Sequence, residues 1–453
     1  MNRDNTIANS RESFSLSRFG VPIFAGASGV GLAFLFLNAS PITFLLLLGC
    51  ATTIAALLLY PEFALALYVV VGDVKGDDRI ASLAFLDLTL AVGTILLAGI
   101  ALNMLRKKRV LPLPPVFFLY IALIAMMAAS LAYTPVLDAG LEKLGRFLTV
   151  TGIVIVAPFF LLGTPRAMKC FLMGYGVSAF AICCYSLKEL GGSGRLVTPS
   201  NFTIGLGHIA CALMLLIWFG FMTRLSFVKR IFLYPVLAVP AVALVGSGSR
   251  GPLIALILLL LLSLFFYRRL LLDAACLLGL GMIAFSLVHI PETSLNYLAT
   301  LVQSRSAVAL LSFRGELMDH AIQLIERHPL LGVGIQGYRY HSPNAALYNW
   351  PHNIFLEIAC ELGMLAAFIS CTIFASAACE SFRQLKDRLA PYLVFSELAA
   401  ALVFAGIVNA MNTGDINSDR STWLFISLVF VVGSLRRQAL EPARLTAHGN
   451  SNP

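Results

Sequence analysis

Charge is what this sequence has least of. Only 12% of its 453 residues are Asp, Glu, Lys or Arg, where a soluble domain carries about 25%. So few charges cannot clothe a globular surface, which excludes a soluble protein. Cysteine signals are missing too. The nine cysteines all lie in or at the edges of apolar runs, none falls between 290 and 353, and no CxxC occurs. A disulfide framework and a zinc site are therefore not expected. There is no typical cleavable leader, because the first apolar run passes straight into others, so an uncleaved anchor is expected. Internal repeats and low-complexity tracts are absent.

What is present is apolar: 59% of the chain is hydrophobic. A crossing needs roughly 20 apolar residues. Spans are expected near 19–37, 41–60, 82–104, 113–133, 142–162, 167–187, 204–223, 229–247, 250–267, 269–289, 354–378, 391–411 and 421–435. The short segment 61–73 either crosses or re-enters. The expectation is one all-α, polytopic membrane domain over 1–453 with about twelve to fourteen transmembrane helices. The net charge of +9 is no nucleic-acid signal, since Lys and Arg cluster in short loops: 106–109, 224–230, 268–269, 383–388 and 436–437. Placing these clusters in the cytoplasm puts both termini inside, with 61–73 counted as a crossing. The segments 74–81, 134–141, 188–203, 248–250, 290–353 and 412–420 then share the far side.

The loop 290–353 is the long one, and it holds four of the seven histidines, at 320, 328, 341 and 352. Loops of this length are usually functional or disordered, and this composition is not disordered. Phe313, Leu317, Ala321, Leu324 and Ile325 form one stripe at helical spacing. Ser312 is placed to cap that helix and Pro329 to end it. An amphipathic helix on the outer membrane face is expected.

Several residues break the pattern of a plain membrane bundle. Arg250, in "GSGSRGPL", opens a span from the far side, against the positive-inside rule, among glycines that permit close backbone approach. Either it snorkels to headgroups or it binds an anion. Arg314 falls two residues past Ser312, where a helix N-terminus favours an anion. It is a solvated loop arginine or half of an anion site. Lys143 and Arg146 are expected to snorkel, and Arg195 lies in a far-side loop. His352, just before a long apolar run, titrates near neutral pH and is either a structural histidine or a proton acceptor. Asn353 can cap the helix that follows. Glu357 and Glu361 share a face of it. Acids inside a span need partners, and arginines are the expected ones. Asp87, His208 and Glu397 read as buried structural polar groups. "GVGIQG" at 332–337 matches G-x-G-x-x-G but lacks a βαβ context, so a turn back toward the membrane is expected, not a dinucleotide site.

Three stretches together, "GSGSRGPL" (246–253), "SFRGELMDHAIQLIERHPLLGVGIQGY" (312–338) and "PHNIFLEIACELGM" (351–364), resemble the O-antigen ligase and O-antigen polymerase superfamily of bacterial inner membranes. The similarity spans roughly 130–430, and 60–90 also resembles the family's N-terminal part. The resemblance implies an all-helical fold similar to membrane-embedded GT-C-type glycosyltransferases. It implies transfer of a glycan from undecaprenyl pyrophosphate to an acceptor hydroxyl at the periplasmic face, with no metal, cofactor or nucleotide sugar. The acceptor is a lipid A-core sugar for ligases, a second lipid-linked repeat for polymerases, and a protein side chain for some relatives; membrane lipids are the remaining partners. Carried over by position, the family's arginines fall on Arg250 and Arg314, and its loop histidine on His352. This chain reads "FRGE" where many members read "GR" and an aromatic.

In physical terms, guanidinium groups suit a pyrophosphate, and His352 suits a general base. Arg146, Arg195, Asn353 and Tyr338 are further candidates for substrate contact, with Glu357 and Glu361 orienting the arginines. Inversion at the anomeric carbon is implied. A ligase is favoured over a polymerase by the single dominant loop and the loop "GDVKGDDR" (72–79). A lipid-linked glycan flippase is the alternative of another class. It would show pseudo-repeats and broken helices near the midplane, and the sequence signals neither.

Overall fold

A computed structural model describes residues 41–76, 87–106, 110–190, 194–276, 279, 307–342, 350–387, 389, 392–412 and 414–449, with the side chains of 41–48, 307–314 and 441–449 not included. The described residues contain helices and no strand, and the chain is an all-α, polytopic membrane protein. Residues 1–59 and 60–453 are separate compact units. The first contributes helix α1 (Pro41–Leu59). The second contains α2 (Pro61–Val70), α3 (Leu88–Leu105), α4 (Phe117–Ser130), α5 (Leu137–Leu161), α6 (Pro165–Ser186), α7 (Thr203–Ile217), α8 (Tyr234–Ser247), α9 (Arg250–Phe266), α10 (Ala307–Arg327), α11 (Ile354–Asp387), α12 (Leu393–Asn412) and α13 (Arg420–Gly449).

Among the described residues seven helices are long and apolar enough to span a membrane, and α4, α8 and α9 are shorter apolar helices. The spans expected at 19–37 and over most of 269–289 lie outside the described residues. Helix α2 is too short to cross alone. Ten residues rise about 15 Å, half of a hydrocarbon core of about 30 Å.

Local chemistry sets the helix ends. Asp87, expected inside a span, is instead the exposed N-cap of α3; its carboxylate accepts from the Thr89 and Leu90 amides. Thr164 and Pro165 start α6 in the same way. Gly248, at φ +63°, stops α8 in the left-handed region. Helix α10 begins at Ala307, upstream of the expected cap at Ser312, because the apolar run 307–311 continues the helix. Arg314 therefore lies well inside the helix, and the argument from free N-terminal amides does not apply to it. Much of the stripe on α10 buries as expected: Leu317 is buried, and Ala321 and Leu324, with Ile325 against them, pack with Val333, Tyr338 and Cys360.

Helix α11 is broken at Gly363 (φ +85°, ψ 173°), a break no sequence signal announced. The loop after α10 enters it. Val333 N donates to Cys360 O at 2.8 Å, Gly334 N to Glu361 O at 2.9 Å, and Met364 N to Pro329 O at 2.9 Å. The backbone groups freed by the kink are thus satisfied by protein, as a membrane interior requires. The "GVGIQG" segment is the expected turn: Gly332, Gly334 and Gln336 all have positive φ. Its far side is clamped by Tyr133 Oη on Leu331 O (2.6 Å) and Thr134 Oγ1 on Ile335 O (2.7 Å).

Below this junction Trp423 of α13 is fully buried, edge-on to Tyr120 (5.7 Å), Phe147 (5.9 Å) and Phe374 (5.5 Å). One side chain thereby joins α4, α5, α11 and α13. Trp423→Ala is expected to cost about 3–5 kcal/mol, read as a large fall in thermal midpoint in detergent, with Trp423→Phe intermediate, since the indole N–H donates to Ile416 O at 3.0 Å and phenylalanine loses that buried bond.

Candidate functional site

One buried cluster of polar residues lies where α5, α11 and the α12–α13 hairpin meet. Lys143 Nζ lies 2.6 Å from Glu357 Oε1 and 2.6 Å from Glu361 Oε2, with all three side chains buried. The carboxylates were expected to hold arginines, and Lys143 to snorkel. The geometry instead makes Lys143 their partner, because its side chain is buried against both carboxylates of α11. Each carboxylate also accepts a backbone amide from outside its helix: Glu361 from Gln336 N (2.9 Å) and Glu357 from Ile416 N (3.0 Å). Asn417 Nδ2 donates to Lys143 O at 3.0 Å. One triad thus fixes α5, α11, the turn after α10 and the α12–α13 loop to one another.

His352 and Asn353 stand directly above the triad. Asn353 Oδ1 accepts from Phe355 N (3.0 Å) and Leu356 N (3.2 Å), so its side-chain oxygen caps α11. His352 is 7% exposed, has φ +55°, and sets its ring edge-on to Trp350 at 5.6 Å. A non-glycine residue held there costs on the order of 1 kcal/mol or more and marks an overdetermined site. The other two non-glycine positive-φ residues among those described, Asn201 and Gln336, lie in neighbouring loops of the same region.

Arg250 reaches this region from another direction. Arg195 Nε donates to Ser247 O at 2.6 Å, Leu196 N to Gly246 O at 2.9 Å, and Ser249 Oγ to Thr203 O at 3.1 Å. These bonds fix the turn that presents Arg250 at the start of α9. A Cβ on the next residue, Gly251, would lie 3.4 Å from Asn409 Oδ1. A Cβ on Gly414 would lie 2.9 Å from Ile354. The end of α12 is therefore flanked by Arg250–Gly251 on one side and the His352–Ile354 turn on the other.

The other candidates divide. Arg195 belongs to the group through the Ser247 carbonyl. Arg146 does not: it is 67% exposed and pairs with Glu142 at 2.5 Å, one turn back on the same helix. Tyr338 is fully buried and its hydroxyl donates to Leu317 O at 3.0 Å. It packs the lobe and has no surface for a substrate. The Arg314 side chain lies outside the described residues. Glu397 is the structural group expected, paired with Arg224 at 2.7 Å.

Arg420 was missed. It opens α13 beside Gly72, whose Cβ, if present, would lie 2.5 Å from its Nη2. Its Nη1 is buried and has no hydrogen-bond partner among the described residues. Ser200 bonds to Gly72 O, to Gly76 N and to Asp73 O, and so ties this corner to the loop that carries Arg195. The signal was available: like Arg250, Arg420 is an arginine at the start of an apolar run.

Residues 235–371 match the family model described as O-antigen ligase. The matched region includes Arg250, His352, Glu357 and Glu361 and excludes Lys143 and Arg420. A comparison with curated proteins finds no match.

The triad buries one ammonium group with two acidic side chains away from water, so removing Lys143 leaves the carboxyl groups without their cationic partner. Lys143→Met is expected to destabilise by about 3–5 kcal/mol, measured by thermal unfolding. Adding Glu357→Gln and Glu361→Gln to it should recover a substantial part of the loss.

Proposed function

We propose, on the premise that this chain is a member of the O-antigen ligase superfamily, which the match over residues 235–371 supports, that it transfers a glycan from undecaprenyl pyrophosphate to a hydroxyl of lipid A-core. The protein lies in the bacterial inner membrane with both termini cytoplasmic. The loops that bear Arg195, Arg250, His352 and Arg420 face the periplasm.

Arg250 and Arg314 hold the pyrophosphate, and Arg195 and Arg420 add positive charge beside it. His352 accepts the proton of the attacking hydroxyl. The acceptor oxygen bonds to the anomeric carbon as the bond to the phosphate oxygen breaks, with inversion, and undecaprenyl pyrophosphate departs. Negative charge grows on the phosphate during that step, so guanidinium contacts strengthen toward the transition state. Proton acceptance by a positioned histidine supplies about 10²–10⁴-fold. The observation that supports the proposal is that Gly251, next to Arg250, approaches Asn409 near the end of α12, and Ile354, two residues after His352, approaches Gly414 just past that end, although the two segments are about a hundred residues apart in sequence.

Purified protein with a lipid-linked glycan and lipid A-core should form product in the presence of EDTA. His352→Ala should lower kcat by at least 10²-fold with the thermal midpoint within a few degrees of wild type. Arg250→Lys should be impaired as well as Arg250→Ala, because a lysine cannot replace a bidentate phosphate contact. Full activity in both the His352 and Arg250 variants would refute the assignment. Product formed only with a second lipid-linked repeat as acceptor would make the enzyme a polymerase.

A further inference from the structure

A lateral groove of about 820 Å³ lies between the start of α4 and facing stretches of α11 and α13. It lies away from His352: Glu380, on its rim, is 17 residues past the break at Gly363, or about 25 Å along the second part of α11. Val116 and Leu119 wall it on α4, Phe368 and Ala375 on α11, and Phe430 on α13. The volume falls in the roughly 300–1,000 Å³ range of sites that enclose a ligand. Phe368 and Phe382 on the same flank of α11 are 69% and 75% exposed, so the groove opens onto a surface fit for lipid and not for water.

One end of this apolar slot is cationic. Glu380, 14% exposed, lies 4.0 Å from Arg383 Nη1 and 3.7 Å from Arg437 Nη1. These separations exceed hydrogen-bond reach. Both guanidinium groups remain open, at 78% and 60% exposure. Arg437 makes one bond of 3.2 Å, from Nη2 to Ser434 Oγ. A single carboxylate thus gathers two arginines at the mouth of the groove without using up their donors, leaving a net positive charge. Guanidinium donors match phosphate geometry, and the apolar slot behind them matches an acyl chain.

We propose that this groove is a binding site for an anionic phospholipid, with an acyl chain between α4, α11 and α13 and the headgroup phosphate on Arg383 and Arg437. It lies apart from the transfer site and does not depend on the proposed reaction.

The test uses the full-length protein purified in mild detergent, with phosphatidylglycerol and phosphatidylcholine added in equal amounts and bound lipid read by native mass spectrometry. Wild type should retain about one phosphatidylglycerol per chain, in at least tenfold preference to phosphatidylcholine. Arg383→Gln with Arg437→Gln should abolish the preference, and Ala375→Trp, which fills the slot without altering charge, should lower occupancy tenfold. Arg166→Gln, at an exposed arginine outside the groove, should change neither. Equal retention of both lipids by wild type would mean annular lipid only and overturn the proposal. Undiminished occupancy in Ala375→Trp would overturn it too, since the lipid would then not occupy the groove.

Discussion

Lys143 sits between Glu357 and Glu361, 2.6 Å from each and out of contact with water, and the arrangement of the surrounding loops depends on that contact. Taking each ion out of water costs several kcal/mol. The cost is offset in part by the amides of Gln336 and Ile416, which donate to Glu361 Oε2 and Glu357 Oε2, while Glu361 Oε1 is buried without a hydrogen-bond partner among the described residues. Those amides belong to different loops. The same bonds that make the triad tolerable therefore dictate where the turn after α10 and the α12–α13 loop must lie. A pair of hydrophobic residues would fill the space as well, but it would not specify which backbone amides come to rest there.

From this junction the rest of the site follows in short steps. The break at Gly363 frees carbonyls at Cys360 and Glu361, and the turn after α10 occupies them. With the start of α11 fixed, Asn353 caps it and His352 is forced to positive φ beside Trp350. Asn409 and Gly414 lie on the hairpin whose Ile416 amide binds Glu357, and they space Arg250 from the His352 turn. Backbone strain at His352 is held by the same framework that holds the charges. Such strain persists only where the surroundings overdetermine it.

Much of this was legible in the sequence, for identifiable reasons. Apolar runs of crossing length reveal membrane helices, because no other element satisfies its backbone in hydrocarbon. The stripe on α10 and the glycine turn at 332–337 were also legible, since periodicity and glycine placement act locally. Arg250 stood out as an arginine that opens an apolar run among glycines. Arg420 also opens an apolar run, but no glycine stands next to it. What stayed hidden was pairing at long range. Nothing local to Lys143 reports that it meets acids more than two hundred positions later, and nothing near Gly363 reports that another loop will complete its broken helix. The start of α10 was misplaced because Ser312 suits a cap as well as a helix interior, and the apolar run before it decides the matter.

The central claim is that the far-apart segments bearing Arg250 and His352 frame one phosphate-binding and proton-accepting site. A cryo-electron microscopy map of the protein with bound undecaprenyl pyrophosphate tests it most directly. The account predicts pyrophosphate density within hydrogen-bond distance of the Arg250 guanidinium, with the His352 ring bordering the same cavity. Pyrophosphate bound elsewhere on the chain, or an Arg250 side chain turned away into lipid, would contradict it.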